Sequence, residues 1–340
     1  MRYWKALPVV LCSIVLPLGN SPAVLAQGKG ETVRIQDYPG TANMLSRIAR
    51  SKGYCDAHGI RCELQFIASG PLGAQALLAK SIDVGFFPPS VQINAMVKGA
   101  DFKAIASGSQ RNILQVVIHN DLDAPNWEKG YPAFMADLKG KRIGVPARAA
   151  GVETDFLLLA RNAGLSAEDF TFVANGSPNT AYGSLVSKQV DANVTFSPSA
   201  PMCEVLKTCR ILYRASEATG PREIVATNGA SASFVVTGEF ISKSPHVIEA
   251  LLAALKEAEA FIQTPQNFAE ALSIAQSYFK FDLPQGDEIM AAQLKRAIPS
   301  HRTGISRAAL KQIAENMLQA KLLDAPFDTS GMVYDKGLAF

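Results

Sequence analysis

The sequence lacks the short motifs that mark several enzyme classes. It contains no G-x-S-x-G, no G-x-x-x-x-G-K-[ST], no G-x-G-x-x-G after a predicted strand and no H-E-x-x-H. Nucleophile-elbow hydrolases, P-loop nucleotide-binding proteins and many metalloproteases each need one of these patterns. The four histidines are scattered, and Glu153 and Asp155 open a predicted helix, where acidic side chains favour the helix dipole. We therefore expect no enzyme, no cofactor and no metal site.

An excess of charge and long apolar runs are also missing from most of the chain. The chain has 33 Lys and Arg residues and 30 Asp and Glu residues, which gives a net charge of +3. This charge balance does not indicate a nucleic-acid partner. Beyond the first segment, no apolar run approaches the roughly 20 residues of a membrane-spanning helix. A chain of 340 residues with 48% hydrophobic content suits a globular protein of two domains that is not membrane-embedded.

Residues 1–26 have the pattern of a secretory signal peptide. Arg2 and Lys5 give a positive start, residues 7–18 form an apolar run, and Val24-Leu25-Ala26 supplies small residues at the usual cleavage spacing. The alternative is a membrane anchor, for which the apolar run is too short. We therefore expect the mature chain in an oxidising compartment outside the cytoplasm.

The cysteines of the predicted mature chain fall into two close pairs. They are Cys55 with Cys62, and Cys203 with Cys209. An even number of cysteines in a secreted chain indicates disulfides, and the sequence allows three connectivities. We favour the two local bridges, each of which would join a helix end to the next strand. A metal site that uses His58 is the alternative, but it lacks paired C-x-x-C spacing.

Short β-branched runs alternate with helical patterns along the mature chain. Such alternation predicts βαβ units and mostly parallel sheets, an α/β fold. The pattern begins again near residue 114, and the chain is almost wholly helical after residue 237. The predicted strands are 32–38, 62–68, 84–87 and 102–106, then 114–119, 142–145, 170–174, 193–196, 210–214 and 233–237.

An internal repeat supports two similar halves. Lys80-Ser81-Ile82-Asp83 matches Lys188-Gln189-Val190-Asp191, and each is followed by an apolar strand and then by Pro-Ser. A chance match of four positions is the alternative, although the order of elements around them also agrees. Two βαβ lobes that share one helix-to-strand transition explain the repeat most simply.

A small molecule is expected to bind beyond the carboxyl ends of the predicted parallel strands. Helix N-termini at these ends present free N–H groups and partial positive charge, which suit an anion or a polar ligand. Many of the same residues also have capping or turn chemistry, so the two interpretations overlap. The candidate ligand-binding residues are Tyr38, Gly40, Thr41, Ser69, Gly70, Pro71, Phe87, Ser90, Ser109, Arg148, Gly151, Asn175, Ser177, Asn179 and Ser199.

Arg148 is the one cation among these turns. Its guanidinium could bind a carboxylate, a sulfonate or a phosphate through two hydrogen bonds. The alternative is an arginine exposed to solvent. Arg111 follows another turn and is the weaker candidate, more typical of a surface or hinge residue.

Four segments follow one another along the chain. They are Ser69-Gly70 before a helix that ends in L-L-A-K-S-I-D-V-G (77–85), L-K-G-K-R-I-G-V-P (138–146), L-V-S-K-Q-V-D-A (185–192), and V-V-T-G-E-F (235–240) with Pro245. In this order they resemble the periplasmic solute-binding proteins of ABC importers, in the nitrate/sulfonate/taurine branch. The resemblance covers nearly all of the mature chain.

The resemblance implies a two-lobed, type II-like binding protein with a ligand cleft between the lobes. Lobe I would comprise residues 31–110 and 231–340, and lobe II residues 111–230. The implied protein is a periplasmic monomer that closes on a small molecule by a hinge motion and delivers it to an ABC permease and its ATPase.

The sequence departs from the family pattern at two turns. Family members often have Gly-Ser or Gly-Gly where this chain has Arg148-Ala149-Ala150-Gly151, and Phe87-Pro88-Pro89 is bulky. These residues argue against the usual small sulfonates and favour an organic anion, aromatic anions included. Two alternatives stay open: an enzyme of the same fold related to thiamine-pyrimidine synthesis, and a receptor for a sensor or a non-ABC transporter.

Overall fold

The computed structural model describes residues 1, 28–38, 40–176, 178–281 and 283–338. The predicted signal peptide, apart from Met1, lies outside the described residues. The strands are β1 Glu31–Asp37, β2 Ile60–Phe66, β3 Gly85–Phe87, β4 Phe102–Ser109, β5 Gln115–His119, β6 Arg142–Val145, β7 Thr171–Ala174, β8 Ala192–Thr195, β9 Cys209–Arg214 and β10 Ala232–Thr237.

Helices connect most of these strands and form the C-terminal part of the chain. They are α1 Met44–Ser51, α2 Tyr54–Ala57, α3 Gly70–Leu78, α4 Pro89–Val97, α5 Gly151–Asn162, α6 Pro178–Val186, α7 Ser199–Leu206, α8 Arg222–Val225, α9 Gly238–Lys243, α10 Pro245–Gln263, α11 Phe268–Tyr278, α12 Gly286–Ala297 and α13 Arg307–Gln319. In the described part of the chain, none is both long and apolar enough to cross a bilayer.

Two sheets share one topology. The first has the order β2-β1-β3-β10-β4, in which a bridge between Ile35 and Val84 joins β1 to the segment that leads into β3. The second has the order β7-β6-β8-β5-β9. In each sheet the fourth strand, β10 or β5, is antiparallel to both of its neighbours. The sheets are therefore mostly parallel, and a single antiparallel strand enters each after the chain has crossed from the other.

The chain crosses between the sheets twice, at adjacent points. It leaves the first sheet after β4 and returns to it at β10. The backbone N–H of Ser231 donates to the Ser109 carbonyl at 3.1 Å, and the N–H of Gly229 donates to the Gln110 carbonyl at 2.7 Å. The two crossing segments therefore lie side by side, next to the gap that separates the sheets.

The internal repeat has the same structure in both halves. Asp83 accepts hydrogen bonds from the backbone N–H and the guanidinium of Arg34 on β1, at 2.7–2.9 Å. Asp191 accepts the equivalent bonds from Arg142 on β6, at 2.8–3.1 Å. Lys80 and Lys188 have φ values of 58° and 59°, so both segments leave their helices through the left-handed region. The same arginine–aspartate pair therefore fixes the second strand of each sheet, β1 or β6, to the helix-to-strand turn.

Both disulfides are local, as the sequence favoured. Cys55–Cys62 joins α2 to β2, and Cys203–Cys209 joins α7 to β9. Short loops of this kind stabilise the folded state by about 2–3 kcal/mol each on the chain-entropy model. Each bridge therefore fixes a helix end to its following strand on the outer part of one sheet.

Candidate functional site

The carboxyl ends of strands from the two sheets face each other across a narrow gap. The turn after β1 meets the turn after β8, because a Cβ added to Gly40 would lie 2.8 Å from the Ser197 carbonyl oxygen. The start of α5 meets the start of α4, because a Cβ added to Gly151 would lie 2.8 Å from the Cβ of Pro88. Glycine at these positions therefore lets the two sides approach closely.

Tyr38 lies at the centre of this contact. Its ring centroid is 5.3 Å from that of Phe196, which follows β8, and 6.2 Å from that of Phe86 on β3. Burial raises the pKa of the Tyr38 hydroxyl to about 12, and the backbone N–H of Gly70 opposes part of this rise. The side chain is therefore neutral at physiological pH and joins the two sides through aromatic packing.

A buried ion pair holds the turn after β1 in place. Arg47 on α1 is fully buried, and its Nε and Nη2 donate to the two carboxylate oxygens of Asp37 at 2.8 and 3.1 Å. The same guanidinium donates to the carbonyls of Gly40 and Tyr38 at 2.6 and 2.8 Å. A bidentate pair with further carbonyl acceptors is a strong and directional arrangement. It sets the position of Tyr38 and Gly40 at the gap.

A cavity lies between the sheets on one side of the first crossing, and it is the larger of the two described at this gap. The first sheet and the second sheet both supply walls, and the C-terminal helical region closes one side. Residues that line it include Thr41, Ser109, Gln115, Phe196, Gln293 and His301.

His301 presents an unused acceptor to this larger cavity. The side chain is 1% exposed, and its Nδ1 is 3.1 Å from the Gly108 carbonyl, to which it donates a hydrogen bond. Nε2 is then the acceptor of a neutral ring, and it has no partner among the described residues. Burial lowers the pKa of His301 to about 4. The ring is therefore neutral at pH 7 and can accept one hydrogen bond from a bound molecule.

Arg111 is a free cation at the same cavity. Its side chain is exposed and makes no ion pair with any described residue. Arg214 and Arg296 also line the cavity, but carboxylates already hold both of them. Arg111 is therefore the cation that is available to an acidic group in the larger cavity.

Four charged residues form a network at the edge of the larger cavity, called here the clasp. Arg296 on α12 donates to Glu217 at 3.0 Å and to Glu204 on α7 at 3.3 Å. Arg214 on β9 donates to the same two carboxylates at 2.8 and 2.7 Å. Arg296 belongs to the helices beside the first sheet, whereas the other three residues belong to the second sheet and α7. The clasp therefore bridges the two sides of the gap.

A second cavity lies on the other side of the first crossing, and both cavities share Asn112 and Ile113 as walls. Ser90 lines it from the first side, and Gly151 and Asp155 line it from α5. Asp155 accepts a hydrogen bond from Asn112 Nδ2 at 2.7 Å. Burial raises the pKa of this carboxyl to about 7. The second cavity therefore contains a titratable acid next to the crossing segment.

Many residues of the predicted site lie at the gap or at its cavities. Ser69 caps α3, because its Oγ accepts a hydrogen bond from Leu72 N at 3.5 Å, and Pro71 is half-buried in the first turn of that helix. A Cβ added to Gly70 would lie 3.2 Å from the Cβ of Phe87. The residues that line the contact or a cavity are Tyr38, Gly40, Thr41, Ser90, Ser109 and Gly151.

The structure corrects the roles of two predicted site residues. The Phe87 ring is fully buried and packs 5.9 Å from the Phe102 ring in the core of the first side, because the strand directs it away from the gap. The Arg148 Nε donates to Glu153 at 2.8 Å, and the guanidinium lies 5.0 Å from the Phe172 ring centroid. The carboxylate of Glu153 on α5 therefore already pairs with Arg148, the cation that was expected to bind the ligand.

The remaining predicted residues make local contacts beside the second sheet. Asn175 Nδ2 donates to Ser184 and to Asn193 at 2.7 and 2.8 Å, and Ser199 Oγ lies 3.3 Å from Thr195 Oγ1. The Oδ1 atoms of Asn175 and Asn179 are buried without a hydrogen-bond partner among the described residues. Ser177 lies outside the described residues. These contacts order the turns after β7 and β8.

Several residues reach the larger cavity from distant parts of the chain, and the sequence did not predict them. Gln293, Arg296 and His301 come from the C-terminal helical region, where no local pattern distinguishes them from surface residues. Gln115 could have been predicted from the sequence, because it is a polar residue in an otherwise apolar strand. Its Nε2 donates to Ser197 Oγ at 2.9 Å, and its Oε1 accepts from the Ala200 N–H at 2.7 Å.

Comparison with known families matches residues 44–268 to the family model described as NMT1/THI5 like. A protein of Brucella abortus (strain 2308), named only as a candidate binding protein, is 28% identical over 250 residues, which cover 73% of this chain and 70% of that protein.

Two solved structures share the fold. The alkanesulfonate-binding protein SsuA of Xanthomonas axonopodis pv. citri, bound to MOPS, has a TM-score of 0.70 at 19% identity and covers 89% of this chain and 98% of its own. The ligand-binding component of an ABC-type import system of Staphylococcus aureus, with zinc bound, has a TM-score of 0.71 at 15% identity and covers 89% and 96%. The periplasmic binding protein fold expected from the sequence is confirmed.

Proposed function

The chain belongs to the NMT1/THI5-like family, and on this basis we propose that it is an extracytoplasmic receptor that delivers a small organic anion to an ABC-type importer. The larger cavity carries this proposal. It lies between the two sheets and combines a free cation at Arg111, an unused acceptor at His301 and an apolar wall at Phe196.

The ligand is held between two lobes that move about the crossing segments. Lobe I comprises residues 31–110 and 231–340, and lobe II comprises residues 111–230. Support comes from the adjacent crossings and from the facing strand ends, since movement there changes the width of the gap and leaves each sheet intact. The described conformation, with Gly40 against Ser197 and Gly151 against Pro88, corresponds to a closed state.

The periplasm, a monomeric state and an ABC permease with its ATPase are the proposed setting. The Staphylococcus aureus neighbour is a component of an ABC-type import system, and the Xanthomonas neighbour binds an alkanesulfonate. The two local disulfides agree with an oxidising compartment. The receptor binds its solute without chemical change and passes it to the membrane complex.

Replacement of Arg111 with Gln tests the anion site. We expect affinity for an acidic ligand to fall about tenfold to hundredfold, because a hydrogen bond to a charged group contributes about 1.5–3 kcal/mol. Native mass spectrometry of the purified protein identifies retained solute, and calorimetry with butanesulfonate, benzoate and benzenesulfonate measures affinity.

Arg161→Gln is the matched control, since Arg161 is an exposed arginine on α5 without an ion pair to any described residue. This variant should bind the probes as the wild type does. Equal affinity of the Arg111→Gln variant and the wild type for every acidic probe would rule out the proposed anion site. Binding of none of these probes by the wild type would contradict the proposed ligand class.

A further inference from the structure

The second cavity contains a carboxylate without a counter-charge. Asp155 lines the cavity from α5, and its Oδ2 accepts a hydrogen bond from Asn112 at 2.7 Å. Asn112 Nδ2 also donates to Thr227 Oγ1 at 3.2 Å, so one amide of the first crossing serves two acceptors. Among the described residues that line this cavity there is no lysine, arginine or histidine. Among the described residues, the side chain that donates to this carboxylate is therefore a neutral amide.

The Asp155 side chain is half-buried, so an ionised carboxylate in this position keeps only part of its hydration. One neutral donor offsets only part of the cost of moving a charge out of water. The rise in the Asp155 pKa has the same cause, because burial disfavours the charged form. A cation that entered the cavity would remove this cost and would return the carboxyl to its ionised form.

The other walls of the cavity are suited to a small amine. Ser90 on α4 and Ser231 on the second crossing place hydroxyl groups around the same space as Asp155. A primary ammonium has three N–H donors, which match one carboxylate and two hydroxyl acceptors. Pro88, Val152 and Ile313 provide apolar surface for an attached carbon chain.

A metal ion fits this cavity less well. Among the described residues, no group of three or more histidine, cysteine, aspartate or glutamate side chains could hold a metal. Calcium and magnesium need several oxygen ligands, usually with more than one carboxylate. An organic cation needs only one carboxylate together with neutral acceptors.

We propose that the second cavity is a binding site for the primary ammonium group of a small molecule, with Asp155 as its counter-ion. The ammonium contacts Asp155 from lobe II, Ser90 from lobe I and Ser231 from the second crossing. Binding therefore links both sides of the gap and stabilises their closed arrangement. The site is separate from the larger cavity, so it does not depend on an anion at Arg111.

Methylammonium and tetramethylammonium distinguish this site from general attraction of cations. Both probes carry one positive charge, but tetramethylammonium has no N–H donor and is larger. We expect wild-type protein to bind methylammonium at least about tenfold more tightly than tetramethylammonium, measured by calorimetry at pH 8 in matched salt. Equal affinity for the two probes, or no methylammonium binding, would overturn the proposal.

Asp155→Asn removes the charge and retains an oxygen that can accept from Asn112. We expect methylammonium affinity to fall at least about tenfold, while affinity for acidic probes stays unchanged. Asp123→Asn is the matched control, because Asp123 is exposed and makes no ion pair with any described residue. An Asp155→Asn variant that binds methylammonium as tightly as the control contradicts the proposed site.

A measurement on the wild type keeps the proposal testable if the variant does not fold. The ¹³C chemical shift of the Asp155 carboxyl reports its protonation and its contacts. Saturating methylammonium should move this signal towards the ionised form near pH 7, and tetramethylammonium should leave it in place. A signal that methylammonium does not move would overturn the assignment of Asp155 as the counter-ion.

Discussion

Several polar side chains after the strand ends and in the C-terminal region are buried with hydrogen-bonding capacity still unused. His301 has a free Nε2, and the Oδ1 atoms of Asn175 and Asn179 lack partners among the described residues. Buried polar atoms usually find partners, because an unmade hydrogen bond costs about 1–3 kcal/mol. Arg47, in contrast, donates hydrogen bonds to Asp37, Tyr38 and Gly40 around the turn after β1. The unused atoms therefore indicate where a ligand or water completes the structure.

His301 should make the protein less stable in mild acid. Its pKa of about 4 in the folded state lies below the usual 6.5, so the unfolded chain binds the proton more readily between these values. We expect the free energy of unfolding to fall as pH drops from 6.5 to 4, by at most about 3 kcal/mol from this group. Urea denaturation at half-unit pH steps measures the effect.

His301→Asn is the comparison variant, because asparagine can still donate to the Gly108 carbonyl but does not titrate. Its stability should change less with pH over the same interval. An unchanged slope in the variant, or an NMR titration that places the wild-type pKa near 6.5, would show that the ring is not buried as described.

The sequence predicts an arginine at the proposed anion site and ranks Arg148 above Arg111, but it does not show that Arg148 is already paired with an acid. Arg148 and Arg111 both follow strands, and nothing local to either one shows which has an acidic neighbour in the fold. Glu153 reaches Arg148 because both lie at the start of α5. His301 and Gln293 were beyond prediction, since their positions at the cavity depend on how the C-terminal helices pack. Residue type and strand ends are local properties, whereas pairing and orientation are not.

At the scale of elements, the turns at the strand ends control how closely the two sides approach. Gly151 at the start of α5 lies against Pro88, and Gly40 lies against Ser197. Alanine would favour the helix at position 151, since glycine is worse than alanine in helices by about 0.5–1 kcal/mol. The same methyl group would clash with the opposite side only when the gap is closed.

Gly151→Ala should therefore shift the protein towards an open form without loss of folding. The added Cβ would lie 2.8 Å from Pro88 Cβ, which is too close for two carbon atoms. We expect a larger radius of gyration in small-angle X-ray scattering and about tenfold weaker binding of the retained solute, with an overpacking cost of about 1–3 kcal/mol.

Gly183→Ala is the matched control for this substitution. Gly183 lies within α6, and a Cβ added there meets nothing within 4 Å. This variant should keep the wild-type radius and affinity and gain a little thermal stability. The same radius and affinity in the Gly151→Ala variant would show that the contact with Pro88 does not limit closure.

Most elements could be predicted from local patterns, but their pairing could not. The strand predicted at 233–237 is β10 Ala232–Thr237, and that predicted at 32–38 is β1 Glu31–Asp37. The antiparallel direction of β5 and β10 depends on contacts between distant segments, so the periodicity could not reveal it. Two separate helices, α1 and α2, lie between β1 and β2, because Gly53 has φ of 73° and separates them.

At the scale of the whole molecule, the clasp is the charged link between the two sides of the gap. Arg296 shares Glu204 and Glu217 with Arg214, and the side chains of Arg296 and Glu217 are 42% and 49% exposed. Exposed ion pairs are usually worth less than about 1 kcal/mol, and salt weakens them. The clasp therefore adjusts the balance between open and closed forms and does not determine the fold.

Arg296→Gln should weaken closure and make it less sensitive to salt. We expect affinity for the retained solute to fall about twofold to fivefold at low ionic strength, with little difference from wild type at 1 M salt, where the screening length is about 3 Å. Calorimetry across a salt series measures both effects. Arg302→Gln is the control, because Arg302 pairs with Glu259 within the C-terminal region. If both variants respond alike, the clasp has no specific role in closure.

The position of β10 has a consequence for the order in which the protein folds. All strands of the second sheet lie within residues 115–214, so that sheet can assemble from one continuous stretch. In the first sheet, β3 and β4 both pair with β10, which follows β4 by more than a hundred residues. Closing so long a loop slows folding. Until it closes, the unpaired strand edges can form hydrogen bonds with strands of other chains. The second sheet should therefore fold first, and the first sheet should stay incompletely paired until β10 inserts.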